Sequence, residues 1–184
     1  MSSENPAKQG RSRVYPEHTL PGFKSDPVSY AAAEIAEFRR RVYDQIIDLP
    51  DEALNFVAPA TQMSIGWLTG HLMIAEGIWM ERISGEHIPS AISSHPGWSD
   101  TVPYGTPVGR YENAPELVNL AERLFNEYSL PLLKSISDPS QETGLPNPAT
   151  VGQVLRHLSW HWVYHSGHIG LLRLQWGSEY DWKF

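Results

Sequence analysis

Four of the eight histidines in this 184-residue chain crowd together near its C-terminus, at His157, His161, His165 and His168. Imidazole suits two kinds of chemistry at neutral pH, transition-metal ligation and proton transfer. On a helix turning about 100° per residue, the four occupy one stripe roughly 80° wide. Val154, Leu158, Leu172 and Trp176 share that side, whereas Arg156, Ser159, Ser166, Gly170 and Arg173 lie opposite. The stripe reads as the middle of a buried face, with the opposite side wet. Buried imidazoles need partners, and several together need a shared one. Histidines at i and i+4 aim nitrogens to one side of a helix, a spacing that suits a single metal ion. The other reading is a set of core histidines bonded to neighbouring hydroxyls and carbonyls; four along one apolar stripe favour the shared ion.

A metal site between packed helices draws its ligands from facing helices. His71 lies on another helical pattern, sharing its side with Trp67, Leu68, Ala75, Ile78 and Trp79, while Thr69, Met73, Gly77 and Met80 lie opposite. It supplies the third ligand of a site that keeps one position open. Glu76 is turned about 140° from His71, so the ligand faces carry no strong carboxylate base. The chain has no cysteine, so it forms no disulfide, offers no thiol nucleophile of its own and must bind any metal through His or carboxylate groups. His18, His87 and His95 sit in Pro- and Gly-rich segments and support no such argument.

The elements that position these residues read as all-α. Residues 1–25 carry Pro6, Gly10, Pro16, Pro21 and Gly22 without apolar periodicity, and form an N-terminal arm, either mobile or laid across the body. Residues 26–184 form one domain. Its first helix has Asp26 as N-cap and Pro27 at the first position, with the stripe Val28, Ala31, Ile35, Phe38, Val42, Ile46 and Leu49, ending at Pro50. The second spans about 64–84, capped by Ser64 and stopped by Gly85, with Gly66, Gly70 and Gly77 allowing close approach within or between chains. A long connection over about 86–112 reads as a lid, a pocket wall or a plain crossover. The third helix opens with a capping box at Asn113 and Glu116, runs to about Ser137, and is expected to kink or break at Pro131. The fourth opens with a capping box at Thr150 and Gln153 and runs to about Trp176, before Gly177. No strand pattern stands out.

Composition narrows the function. Hydrophobic residues make up 41% and charged residues 19%, as in an ordinary globular domain. A formal charge of −7 argues against a nucleic-acid partner. The one basic run, Arg39-Arg40-Arg41, reads as a solvated face paired locally with Glu34, Glu37 and Asp44. No apolar run approaches the roughly 20 residues that span a bilayer, and Met1 to Gly10 lack a signal-peptide centre, so a cytoplasmic protein without a membrane partner is expected.

The segment Ser64 to Trp79, with Gly70-His71-Leu72 and Ala75-Glu76 inside it, precedes His161-Trp-Val-Tyr-His165-Ser-Gly-His168 far downstream. Together they resemble the DinB/YfiT-like superfamily over roughly residues 28–177. The resemblance implies a four-helix bundle, usually dimeric, with zinc or nickel held by His71, His161 and His165. It further implies relatives that are transferases or isomerases using low-molecular-weight thiols, such as bacillithiol or mycothiol, beside others described as metal-dependent hydrolases. Where many members have Arg-Gly-Gln after the last ligand, this chain has Ser166-Gly167-His168, and His157 adds a further nitrogen. His157 and His168 are therefore candidates for an extra ligand, an orienting partner or a proton carrier. Trp67, Trp79, Trp160, Trp162 and Tyr164 are candidates for the walls of a small-molecule pocket. Three functions fit: a transferase whose metal activates a cosubstrate thiol, a hydrolase whose metal activates water, and a non-catalytic binding or dimer scaffold.

Overall fold

A computed structural model describes residues 7–16, 19–59, 61–95, 98, 113–144 and 149–183. The described chain is mostly helical, with one two-stranded sheet among the described residues. Helix α1 (Asp26–Ile46) is preceded by Ser25, one residue before the expected cap. It stops short of Leu49, which folds back through a turn onto the Ile46 carbonyl, because a residue before proline is poorly placed in a helix. The short α2 (Asp51–Leu54) follows and buries Ala53 and Leu54.

Helix α3 (Ile65–Ser84) has the expected ends: the Ser64 hydroxyl accepts from the Trp67 amide, and Gly85 closes it at a φ of 73°. Both of its sides are buried, so Met73 and Met80, opposite His71, are core residues. Within the 86–112 connection, α4 (Ser90–Ser93) buries Ile92, and Trp98 packs on α3 at Gly77, where a Cβ would come within 2.7 Å of its ring. That glycine serves contact within the chain. Residues 99–112 of the connection lie outside the described residues.

Helix α5 (Ala114–Leu124) is capped by the Asn113 side chain on the Glu116 amide. A widened π turn, Phe125–Ser129, then leads into α6 (Leu130–Ser135). Pro131 donates no hydrogen bond and its ring crowds the preceding turn, and the extra residue in the π turn absorbs this without breaking the rod. Helix α7 (Val151–Trp176) has both bonds of the Thr150/Gln153 capping box and ends at Gly177 with φ 94°. It packs against α1 on one side and α3 on the other, while α3 packs on α5 and α1 on α6. Much of the side expected to be wet is therefore the contact with α1: Ser159, Ser166 and Arg173 are buried, Arg173 is paired with Asp48, and Arg156 is exposed as expected.

The basic run is a second correction. Arg39 and Arg41 are buried, and Arg40 alone is exposed. The true inner stripe of α1 is Val28, Ala32, Ile35, Arg39, Val42 and Ile46, with Arg39 standing in a core position. Its guanidinium pairs with Glu76 of α3 and donates to the Ala121 carbonyl of α5, and Glu76 also accepts from Ser129 Oγ (2.7 Å) and Trp162 Nε1 (3.0 Å). One buried ion pair thus ties every long helical segment together.

The arm lies along α1. Its strand β1 (Lys8–Gln9) pairs in parallel with β2 (Tyr180–Asp181), a ladder too short to leave any pattern in sequence. Arg11 reaches Glu37 at 2.7 Å, and its amide bonds Asp44 at 2.9 Å. Gly10 is buried where a Cβ would meet the Asp181 carbonyl oxygen at 2.7 Å.

Candidate metal centre

The packing of α3 on α7 assembles the histidines. His71, half-buried, stacks flat on Trp67 one turn earlier, with ring centroids 5.1 Å apart and 10° between planes. That stacking sets the ring's direction before α7 is considered. From α7, His161 and His165 are both buried and meet edge to face at 4.7 Å. Each also meets His71 edge-on, at 4.9 and 5.2 Å between centroids.

His71 Nε2 lies 3.0 Å from His161 Nε2, and one nitrogen from each of His71, His161 and His165 lies within 4.8 Å of the other two. Metal–nitrogen bonds of about 2.0–2.1 Å place neighbouring ligand atoms about 3–3.4 Å apart, so the Nε2 pair already has a ligand spacing. The charge state fits as well. Burial, with the neighbouring His165, His71 and His157, pulls the His161 pKa down to about 3. Burial, with His71 and His168, pulls His165 to about 4, and burial lowers His71 too. All three rings are held in the neutral form that ligates metal.

Neither His157 nor His168 contributes a nitrogen to this group. His168 Nδ1 lies 3.2 Å from His165 Nδ1, so the tautomer in which His165 Nδ1 donates to His168 leaves His165 Nε2 with a free lone pair. His157, expected on the buried face, is exposed; it stacks on His161 at 5.6 Å and takes the Trp79 ring edge at 5.4 Å. Trp160 lies flat on Tyr164 at 4.7 Å, both half-exposed, and Tyr164 turns its edge to His165 and His168. Four of the five expected wall residues therefore surround the histidines. Trp162 stands apart, fully buried against Tyr43 and bonded to Glu76.

Sequence reasoning missed the structural role of Arg39, although its signal was present: a spacing of four from Ile35 and three to Val42 puts it in the apolar register. Glu76 is spoken for by Arg39, Ser129 and Trp162, so the motif's carboxylate serves the core.

No curated protein is similar enough to the chain to support a comparison. The family model of the DinB superfamily matches residues 34–169, about three-quarters of the length, including α3 with His71 and the part of α7 that carries His161 and His165. By a match of that extent over the site's own helices, this chain belongs to the DinB superfamily.

Proposed function

We propose that this protein is a metal-dependent transferase in which His71, His161 and His165 hold one divalent ion, zinc or nickel, for attack by a small-molecule thiol on an electrophile. The observation that carries the reading is the group of three neutral imidazole nitrogens within 4.8 Å of one another, joined by no carboxylate among the described residues. When bound, the metal supplies a site at which a thiol is held as its thiolate. With no cysteine in the chain, the sulfur comes from a cosubstrate. His168 Nδ1 orients His165 through their contact at 3.2 Å. Exposed His157, beside Trp79, takes up the thiol proton. Trp160 and Tyr164 bind the apolar part of the electrophile.

The wider reading is a cytoplasmic four-helix bundle over residues 26–184 with an N-terminal arm over 1–25, working as a homodimer. Among the described residues no helix is long and apolar enough to cross a membrane. Leu171 and Leu174, exposed on α7, are apolar surface that a second copy would cover.

The test is elemental analysis with cobalt substitution. One ion per chain is expected, lost in His165→Ala, with a sulfur-to-metal charge-transfer band when a small thiol is added and turnover that needs that thiol. Metal-dependent ester or amide cleavage without thiol would replace this reading with the hydrolase. A metal-free protein after reloading would leave the scaffold.

A further inference from the structure

The face of α7 turned away from the histidines borders a groove of about 480 Å³ that the proposed metal chemistry does not use. The arm supplies Val14 and Tyr15, α1 supplies Phe38 and Arg41, α7 supplies Gly167, and Trp182 closes the end. This is the size of a small-molecule site, for which roughly 300–1,000 Å³ is usual.

Arg41 sets the chemistry. Its side chain is only 4% exposed, and its Nε donates to Glu37 Oε1 at 3.1 Å. Both terminal nitrogens are shut off from water and have no acceptor among the described residues. Glu37 does not reach them: its Oε2 accepts from Arg11 at 2.7 Å, and its Oε1 accepts from Arg41 Nε and from the Val14 amide at 3.2 Å. A buried guanidinium with an empty fork is costly unless a bound group supplies the missing acceptors. Above the fork lies the Trp182 ring, 5.5 Å from the guanidinium carbon and 39% exposed, on the segment that follows β2.

We infer that this groove binds a small organic monocarboxylate with an aromatic or short aliphatic body. The flat carboxylate matches the two parallel N–H bonds at the end of the Arg41 fork. Glu34 and Glu37 border the same groove and balance the cations Arg13 and Arg41, so the lining has no surplus positive charge and a singly charged head is favoured over a doubly charged phosphate. Trp182 turns aside to admit the head and then covers the body, against Val14, Tyr15 and Phe38. Gly167 leaves the far wall low, since a Cβ there meets nothing within 4 Å. This site is independent of the metal reading.

The experiment is calorimetric and tryptophan-fluorescence titration of the full chain with 3-phenylpropionate, octanoate and the neutral 3-phenylpropionamide. Saturable binding of at least one acid is expected, tenfold or more tighter than the amide. Arg41→Gln should weaken it at least tenfold. Gly167→Leu, which fills the groove without touching the core, should do the same. Binding should persist in His165→Ala, which excludes the metal centre as the place where the acid sits, and metal content should be unchanged in the two groove variants. The inference is overturned if neither acid binds saturably, if the amide binds as well, if Arg41→Gln binds unchanged, or if His165→Ala abolishes binding. It also falls if light scattering shows Gly167→Leu splitting a dimer while neither acid binds the wild type, since the groove is then a contact between copies.

Discussion

Replacing Glu76 should cost stability and spare the metal centre, although Glu76 lies five residues from His71 on the same helix. Its carboxylate and the Arg39 guanidinium are each 1% exposed, so neither charge has water to fall back on. Glu76→Ala strands the guanidinium and removes the acceptor for Ser129 Oγ and Trp162 Nε1. Breaking a buried pair by removing one partner costs about 3–5 kcal/mol. At about 2–4 °C per kcal/mol for a chain of this size, the Tm should fall by about 6–20 °C. Glu76→Gln keeps an acceptor for Arg39 and Trp162 and lets its amide donate to Ser129, so it loses the charge but not the bonds. It should cost about 1–3 kcal/mol, in the range of a charge-assisted hydrogen bond. The assay is thermal unfolding by circular dichroism, together with metal content after reloading well below the variant's Tm. Both variants should unfold earlier than wild type, in the order Gln before Ala in retained stability, and both should carry a full complement of metal. A Tm within a degree or two of wild type for Glu76→Ala, or metal loss at unchanged Tm, would refute the assignment of this carboxylate to the core.

Three further outcomes follow from the same geometry. In the metal-free protein, His161 and His165 take up protons only near pH 3 and 4 when folded, but near 6.5 when unfolded, so stability is full above about 6.5 and declines as pH falls below it. Urea midpoints between pH 8 and 4 check this, and His161→Gln should flatten the slope; an equal slope in that variant counts against neutral buried rings. Gly10→Ala drives a Cβ to within 2.7 Å of the Asp181 carbonyl oxygen and should cost about 1–3 kcal/mol, with earlier proteolytic clipping of the arm; an unchanged melting and clipping pattern would mean the arm's docking adds nothing. Leu171→Lys combined with Leu174→Lys should turn a dimer into a monomer by light scattering, and a wild type already monomeric at tens of micromolar would dispose of the homodimer.

The ends of α3 and α7 and the distortion ahead of Pro131 were legible because their causes are local. A serine or threonine oxygen meets an amide two or three residues on, a glycine takes a positive φ, and a proline lacks a donor wherever the chain later packs. The pairing of His161 with His165 is local in the same sense, since one turn of helix fixes it. Whether those rings were buried was another matter: His157 lies on their stripe, about 40° from His161, and is exposed, because α3 covers only part of that face.

What belongs to tertiary structure is every contact whose partner is remote in the chain. His71 meets His161 across 90 residues, and Arg39 finds Glu76 across 37. Composition marks Arg39 and Arg41 as surface residues; packing makes one a core cation with a partner and leaves the other with an empty fork beneath Trp182. The side of α7 bearing Ser159, Ser166 and Arg173 looked wet because polarity in a sequence records what a side chain can bond, not whether its partner is water. Water is the default partner only until another segment arrives, and the turn after α1 arrives with the carboxylate of Asp48. Sequence alone thus determined the ends of α3 and α7 and offered three imidazoles to a metal, while the burial that keeps those imidazoles neutral came from how the helices close around them, because desolvation is a property of the assembled interior and of no single residue.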